Sequence, residues 1–139
     1  MKGYRKVLVA VNGNRGVFDY GVKLAGDEKT WLTIVKVIPA YDGDINLTGI
    51  KKIEDVLDSG GKQAIREIEA DARRAGALVK TRLEEGEVSG KIVEVAEEER
   101  CDLIVMGAPK KNWFRKLWGD RAVEKVIASA SCPVLVLST

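Results

Sequence analysis

The chain has 139 residues, 45% apolar and 32% charged, with no histidine and two cysteines, Cys101 and Cys132. A chain of that length is expected to form one domain over residues 1–139, burying roughly two-thirds of the surface its unfolded form exposes. Without histidine there is no Ser-His-Asp or Cys-His catalysis, no histidine metal site and no imidazole pH switch. Two cysteines exclude a disulfide framework and a four-cysteine zinc site. Lys and Arg number 23 against 21 acids, and the resulting +2 is too small to mark a nucleic-acid-binding protein.

The basic start Lys2–Lys6 runs into Val7-Leu8-Val9-Ala10-Val11, which Asn12-Gly13-Asn14 stops. That run is too short for a signal-peptide core, and no stretch approaches the ~20 apolar residues of a membrane span. A cytoplasmic location is therefore expected, with both thiols reduced and mostly buried.

Lys6–Val11 predicts a first buried strand. Val17, Tyr20 and Leu24 follow at helical spacing and predict a helix ending near Gly26-Asp27. Leu32–Ile38 reads as a second strand closed by Pro39, and residues 39–58 as irregular chain. Asp58 or Ser59 is placed to cap a helix whose apolar face holds Ile65, Ile68, Ala72 and Ala75, with Gly76 as its stop. Leu78–Leu83 is a third strand. Ser89–Arg100 predicts a helix with Ile92, Val95 and Ala96 inward and Glu94, Glu97 and Glu98 outward. Asp102–Met106 is a fourth strand ending at Gly107; Val123, Val126, Ile127 and Ala130 mark a fourth helix; Pro133–Leu137 is the last strand.

This alternation, with no hairpin signal, calls for a single doubly wound α/β domain: a five-stranded parallel sheet in order 3-2-1-4-5 with four helices. Such sheets bind ligands beyond the carboxyl ends of their strands, where the strand order reverses. The candidate positions are Ala10, Val11 and Asn12, then Val37 and Ile38, and Met106 with Gly107.

Neither a P-loop nor a G-x-G-x-x-G fingerprint is present. The informative segment is the loop after strand four. Residues 110–121 carry Lys110, Lys111, Arg115, Lys116 and Arg121 against Asp120, a local +4 that leaves −2 for the rest of the chain. A loop there, returning at a helix N-terminus, offers N–H groups and a dipole to an anion.

The segments Val7–Asn12, Asp102–Gly107, Val123–Val126 and Cys132–Val136 resemble the universal stress protein family in order and spacing. The resemblance implies the fold above, of the adenine-nucleotide alpha-hydrolase-like class, and ATP binding in many members. ATP-binding members carry G-x-x-G-x9-G-[ST] after strand four. Here Gly107 matches the first glycine, but Lys110 stands at the second, Asp120 at the third and Arg121 at the hydroxyl position, with Gly119 one place early. Asn12 stands where the family has an acid, and Val37 matches a residue that reads adenine through its backbone.

Lys110 restricts both a positive φ and close phosphate approach, Pro109 supplies no N–H, and Asp120 puts a carboxylate where a polyphosphate would lie. The nucleotide site expected from the resemblance thus comprises Ala10, Val11, Asn12, Val37, Met106, Gly107, Pro109, Lys110, Gly119, Asp120, Arg121 and Ala122, in degenerate form. The expected function is a non-catalytic, dimeric stress-response or regulatory module with neither catalytic nor metal-binding residues. The alternative is an ATP- or nucleotide-binding member with at most slow hydrolysis, in which Mg²⁺ accompanies ATP.

Trp113, Phe114, Leu117 and Trp118 are expected to form a short amphipathic helix packed on the domain or a partner subunit. An acidic protein partner for this basic loop is a weaker alternative; nucleic acid and membrane are not expected. Glu84, Glu85, Glu87 and Glu97–Glu99 read as solvated faces, and Asp102 as the start of its strand. Pro133, Val134, Leu135, Val136, Leu137 and Ser138 form an edge without a blocking charge, and the family commonly dimerises there, so a homodimer through this strand is expected.

Overall fold

The computed structural model describes residues 4–10, 30–38, 78–108 and 121–138, together with single positions among 17–23 and 63–76. Its elements are β1 (Lys6–Ala10), β2 (Trp31–Ile38), β3 (Leu78–Glu85), α1 (Val88–Glu98), β4 (Leu103–Ala108), α2 (Ala122–Ser129) and β5 (Val134–Ser138). The strands form one sheet in the order β3-β2-β1-β4-β5, with every neighbouring pair parallel. Val17, Tyr20, Gly21 and Lys23 are helical, as are Gln63, Arg66, Glu67, Glu69, Ala70, Arg73 and Arg74, in the two segments expected to be helices. Leu24, Ile65, Ile68, Ala72, Ala75 and the 39–58 segment lie outside the described residues.

Strand alternation divides the apolar residues between two cores. Val7 and Val9 of β1 pack on one face with Val17, Leu32, Ile34, Leu103 and Val105. Leu8 and Ala10 pack on the other with Val35, Ile104, Met106 and the inner faces of α1 and α2. A sheet buried on both faces needs apolar residues at both strand parities, which is why β1 and β4 read as unbroken apolar runs. Tyr20, expected inward, is 42% exposed. The helix instead meets the sheet at buried Gly21, where an added Cβ would lie 2.5 Å from Val9 Cγ2.

On α1, Ile92, Val95 and Ala96 are buried while Glu94, Glu97 and Glu98 face out, as the spacing predicts. On α2, Ala122 and Val126 are buried, but Ile127 is 56% exposed rather than inward. Five residues of helix turn leave Ile127 about 140° from Ala122, off the face that packs on α1.

Three polar devices hold the ends of these elements. The Asp102 carboxylate, just ahead of β4, accepts the N–H groups of Arg5 (3.0 Å) and Lys6 (3.1 Å), and the Asp102 N–H donates to the Lys6 carbonyl at 2.8 Å. At the β3 edge, Arg82 reaches Glu84 (3.0 Å), Glu98 (2.8 Å) and Glu99 (3.1 Å), while Lys80 reaches Glu99 at 2.8 Å. Burial opposes the Arg82 charge, but hydrogen bonds to Glu98 and Glu84 more than compensate and raise its pKa. Glu84, Glu98 and Glu99 are therefore ion-pair partners that tie β3 to the end of α1, not merely a solvated face.

The third device closes α1. The Arg100 N–H donates to the Glu97 carbonyl (3.1 Å) and the Cys101 N–H to the Ala96 carbonyl (2.8 Å), with Arg100 at φ 54°. This paired arrangement usually takes glycine at the left-handed position. An L side chain there costs ~1–2 kcal/mol, and glycine's extra freedom in the unfolded chain returns ~0.4–1 of it. Arg100→Gly is expected to raise stability by about 0.5–1 kcal/mol in urea unfolding; a loss of stability would show that the Arg100 side chain makes compensating contacts.

Candidate functional site

Strand order reverses between β1 and β4, so the crevice lies beyond Ala10 and Ala108, with the end of β2 beside it. Register pairs Ala10 with Val35 and Gly107 with Leu137, and places Val37 opposite Glu84. The side chains of Ala10 (1% exposed), Val37 (8%), Met106 (0%) and Ala122 (5%) all pack in the core beneath α1 and α2. They leave only backbone to face a ligand. Val11, Asn12, Pro109, Lys110, Gly119 and Asp120 lie outside the described residues, as do Trp113, Phe114, Leu117 and Trp118.

Two helix N-termini meet this edge, and they differ. At α1 the Glu87 carboxylate accepts the Gly90 N–H at 3.1 Å and the Ser89 hydroxyl, so the helix is closed by its own anion. Lys125 of α2 adds a contact to the same carboxylate at 3.7 Å. At α2 the cap position is Arg121, which is exposed, at φ 64°, and makes no side-chain capping bond. Among the described residues no side chain caps the first N–H groups of α2, which stand by the Arg121 guanidinium with Glu124 in the same turn.

Sequence reading missed two residues here. Glu87 looked like surface acid, and because glutamate is not among the usual N-cap residues nothing in the sequence marked it as the cap of α1. Lys36 is the only charged residue in a mostly apolar strand. It is half-buried one residue before Val37, and burial lowers its pKa.

The cysteines lie at the other pole, where the first residues of β4 and β5 begin. Both are free and partly buried rather than fully so. Burial, with smaller contributions from Cys132, Glu99 and Asp102, pushes the Cys101 thiol up to about 12, and burial also raises Cys132. Both stay protonated at neutral pH and are poor nucleophiles. Among the described residues no group of three or more Cys, Asp or Glu is placed to hold a metal.

The fold is a doubly wound α/β sheet whose strand order reverses between β1 and β4. A sequence model described as the universal stress protein family matches residues 3–138, and the chain belongs to that family. It is 35% identical over 85 residues to universal stress protein MJ0531 of Methanocaldococcus jannaschii, covering 61% of this chain and half the length of that relative. It is 26% identical over 145 residues to universal stress protein A homolog 1 of Coxiella burnetii, covering 96% of each. Among solved structures, a universal stress protein in complex with cAMP aligns over 99% of both chains at TM-score 0.66 and 21% identity. The universal stress protein from Archaeoglobus fulgidus in complex with dAMP aligns over 97% of this chain and 98% of its own, at TM-score 0.62 and 22% identity. These two likenesses establish the fold.

The Glu87 pKa is lowered chiefly by the Ser89 hydroxyl, against a smaller effect of burial, with the Gly90 N–H helping. A carboxylate lowered in the folded state adds stability that is full above its unfolded pKa, near 4.5, and is lost as pH falls through the folded value. The stability difference between wild type and Glu87→Gln is expected to be positive at pH 7 and to shrink steadily below that unfolded pKa. A difference independent of pH in thermal melts would contradict this.

Proposed function

We propose that the chain is a non-catalytic, dimeric regulatory protein of the cytoplasm whose crevice binds an adenine mononucleotide in place of Mg²⁺-ATP. The observation that carries this reading is the N-terminus of α2 at the switch point, with Arg121 and, among the described residues, no side-chain cap. It offers an anion site that suits a phosphate. Strand ends whose side chains are consumed by the core supply a backbone platform for a base, with Val37 at the position that reads adenine in the family. The structural neighbours bound to cAMP and dAMP support the ligand class, each being an adenine nucleotide with a single phosphate. Lys110, Asp120 and Arg121, standing where the family's loop has glycines and a hydroxyl, weigh against a polyphosphate.

Calorimetric titration with AMP, cAMP and Mg²⁺-ATP, after chromatography of any nucleotide released on denaturation, tests this. Binding of a mononucleotide with no phosphate release from ATP is expected. Tight stoichiometric ATP with hydrolysis would overturn the reading in favour of the ATP-binding alternative, and the absence of any adenine-nucleotide binding at millimolar concentration would overturn both.

The dimer is proposed through β5, which pairs with β4 alone among the described strands and carries half-buried Val134, Leu135, Val136 and Leu137. Because the Ile104 N–H donates to the Pro133 carbonyl (3.0 Å), alternate residues from Pro133 face β4, and Val134, Val136 and Ser138 turn their backbone outward. A two-fold partner would pair there. Val136→Pro removes one outward N–H and no bond to β4. Sedimentation at micromolar concentration is expected to show a wild-type dimer and a folded Val136→Pro monomer; a monomeric wild type would contradict the proposal.

A further inference from the structure

Lys36 is the one charged side chain of β2. Its neighbours along the strand, Leu32, Ile34, Val35 and Val37, are all core residues. It shares strand parity with Leu32 and Ile34, on the face opposite α1 and α2, and in register it sits beside Leu83 of β3. No ion pair or side-chain hydrogen bond joins it among the described residues. Burial lowers its pKa, and no compensating acid stands beside it among the described residues. A half-buried ammonium without a counter-charge is costly, and structures keep one where something else supplies the charge.

Its place along the strand indicates what that is. Lys36 lies one residue past the level of Ala10 and two before the end of β2, so it stands at the carboxyl edge of the sheet, beside the crevice. Two residues of strand rise, roughly 6.6 Å, separate its Cα from that edge. A lysine stem is long enough to cover that distance, running along apolar surface to bring the ammonium to the rim. The end of β2 and the N-terminus of α2 then offer cationic groups from both sides of β1.

We propose that Lys36 is a ligand-reading residue of the crevice, whose half-buried ammonium takes its missing counter-charge from a phosphate-bearing ligand. This rests on the nucleotide reading above and deepens it. Lys36, and not only the helix N-terminus, makes the site discriminate a nucleotide from the corresponding nucleoside. The recognised feature is the anionic group, since an ammonium donates to any phosphate oxygen but carries no information about the base.

Lys36→Met keeps the stem's length and apolar character and removes the charge. Calorimetry of wild type and variant with AMP and with adenosine gives the decisive comparison. The variant is expected to bind AMP about tenfold more weakly, a single charge-assisted contact, and adenosine within twofold of wild type. Thermal melts without ligand supply an independent readout: removing an uncompensated charge is expected to raise the Tm by about 2–4 °C. Equal weakening for AMP and adenosine would reduce Lys36 to a packing residue and overturn the inference. So would unchanged AMP affinity together with a lowered Tm. A wild type that binds neither compound would fell the nucleotide reading itself, and this inference with it. A wild type that binds AMP while the variant is indifferent would fell the inference alone.

Discussion

Everything in this molecule depends on the burial of β1 from Val7 to Ala10. Val7, Leu8, Val9 and Ala10 are each no more than 1% exposed, so both faces of the strand are core and both backbone edges must be paired. Parallel pairing with β2 on one side and β4 on the other meets that demand. Chain connectivity then runs outward in opposite directions from a single central strand. The crevice at its carboxyl end is a consequence of that reversal, and every candidate ligand contact is positioned by it.

Burying the strands so thoroughly also restricts what the site can do. Side chains at the described strand ends are committed to packing, and the described groups at the edge include backbone, the N-terminus of α2 with Arg121 and Glu124, and Lys36. Backbone N–H groups and cations of this kind suit an anion. Of the acids near this edge among the described residues, Glu87 closes α1 and Glu84 pairs with Arg82. The contrast between the two helix N-termini follows from one residue choice at each. Glu87 caps α1 with its carboxylate, whereas the cap residue of α2, Arg121, makes no side-chain cap bond and the first-turn acid of α2 is Glu124.

The strands and the helix α1 were legible because their information is local: continuous apolar runs for two-sided burial, and the 92, 95, 96 spacing for one helical face. The devices that join elements were not, because their partners are distant in sequence. Nothing near Asp102 announces that its carboxylate holds the backbone of Arg5, 97 residues away. Nor could the acidic run at the end of α1 reveal its pairing with Arg82 and Lys80 across on β3. Apolarity also misled where geometry decided. Tyr20 and Ile127 face outward because Gly21 and Val126 make the contacts with the rest of the fold. Of the candidate site, the positions on strand ends came from the fold class and the family resemblance. Lys36 went unnoticed because a single lysine in a strand has no pattern to betray it.

The measurement that most directly tests the claim that ligand recognition resides at the β1–β4 reversal is an amide NMR titration of the protein with AMP. Shifts concentrated on Ala10, Val37, Gly107, Arg121 and Ala122 are expected, with Trp31, Cys101 and Cys132 at the opposite pole unmoved. Saturable shifts confined to that opposite pole, with the carboxyl-edge residues silent, would contradict it.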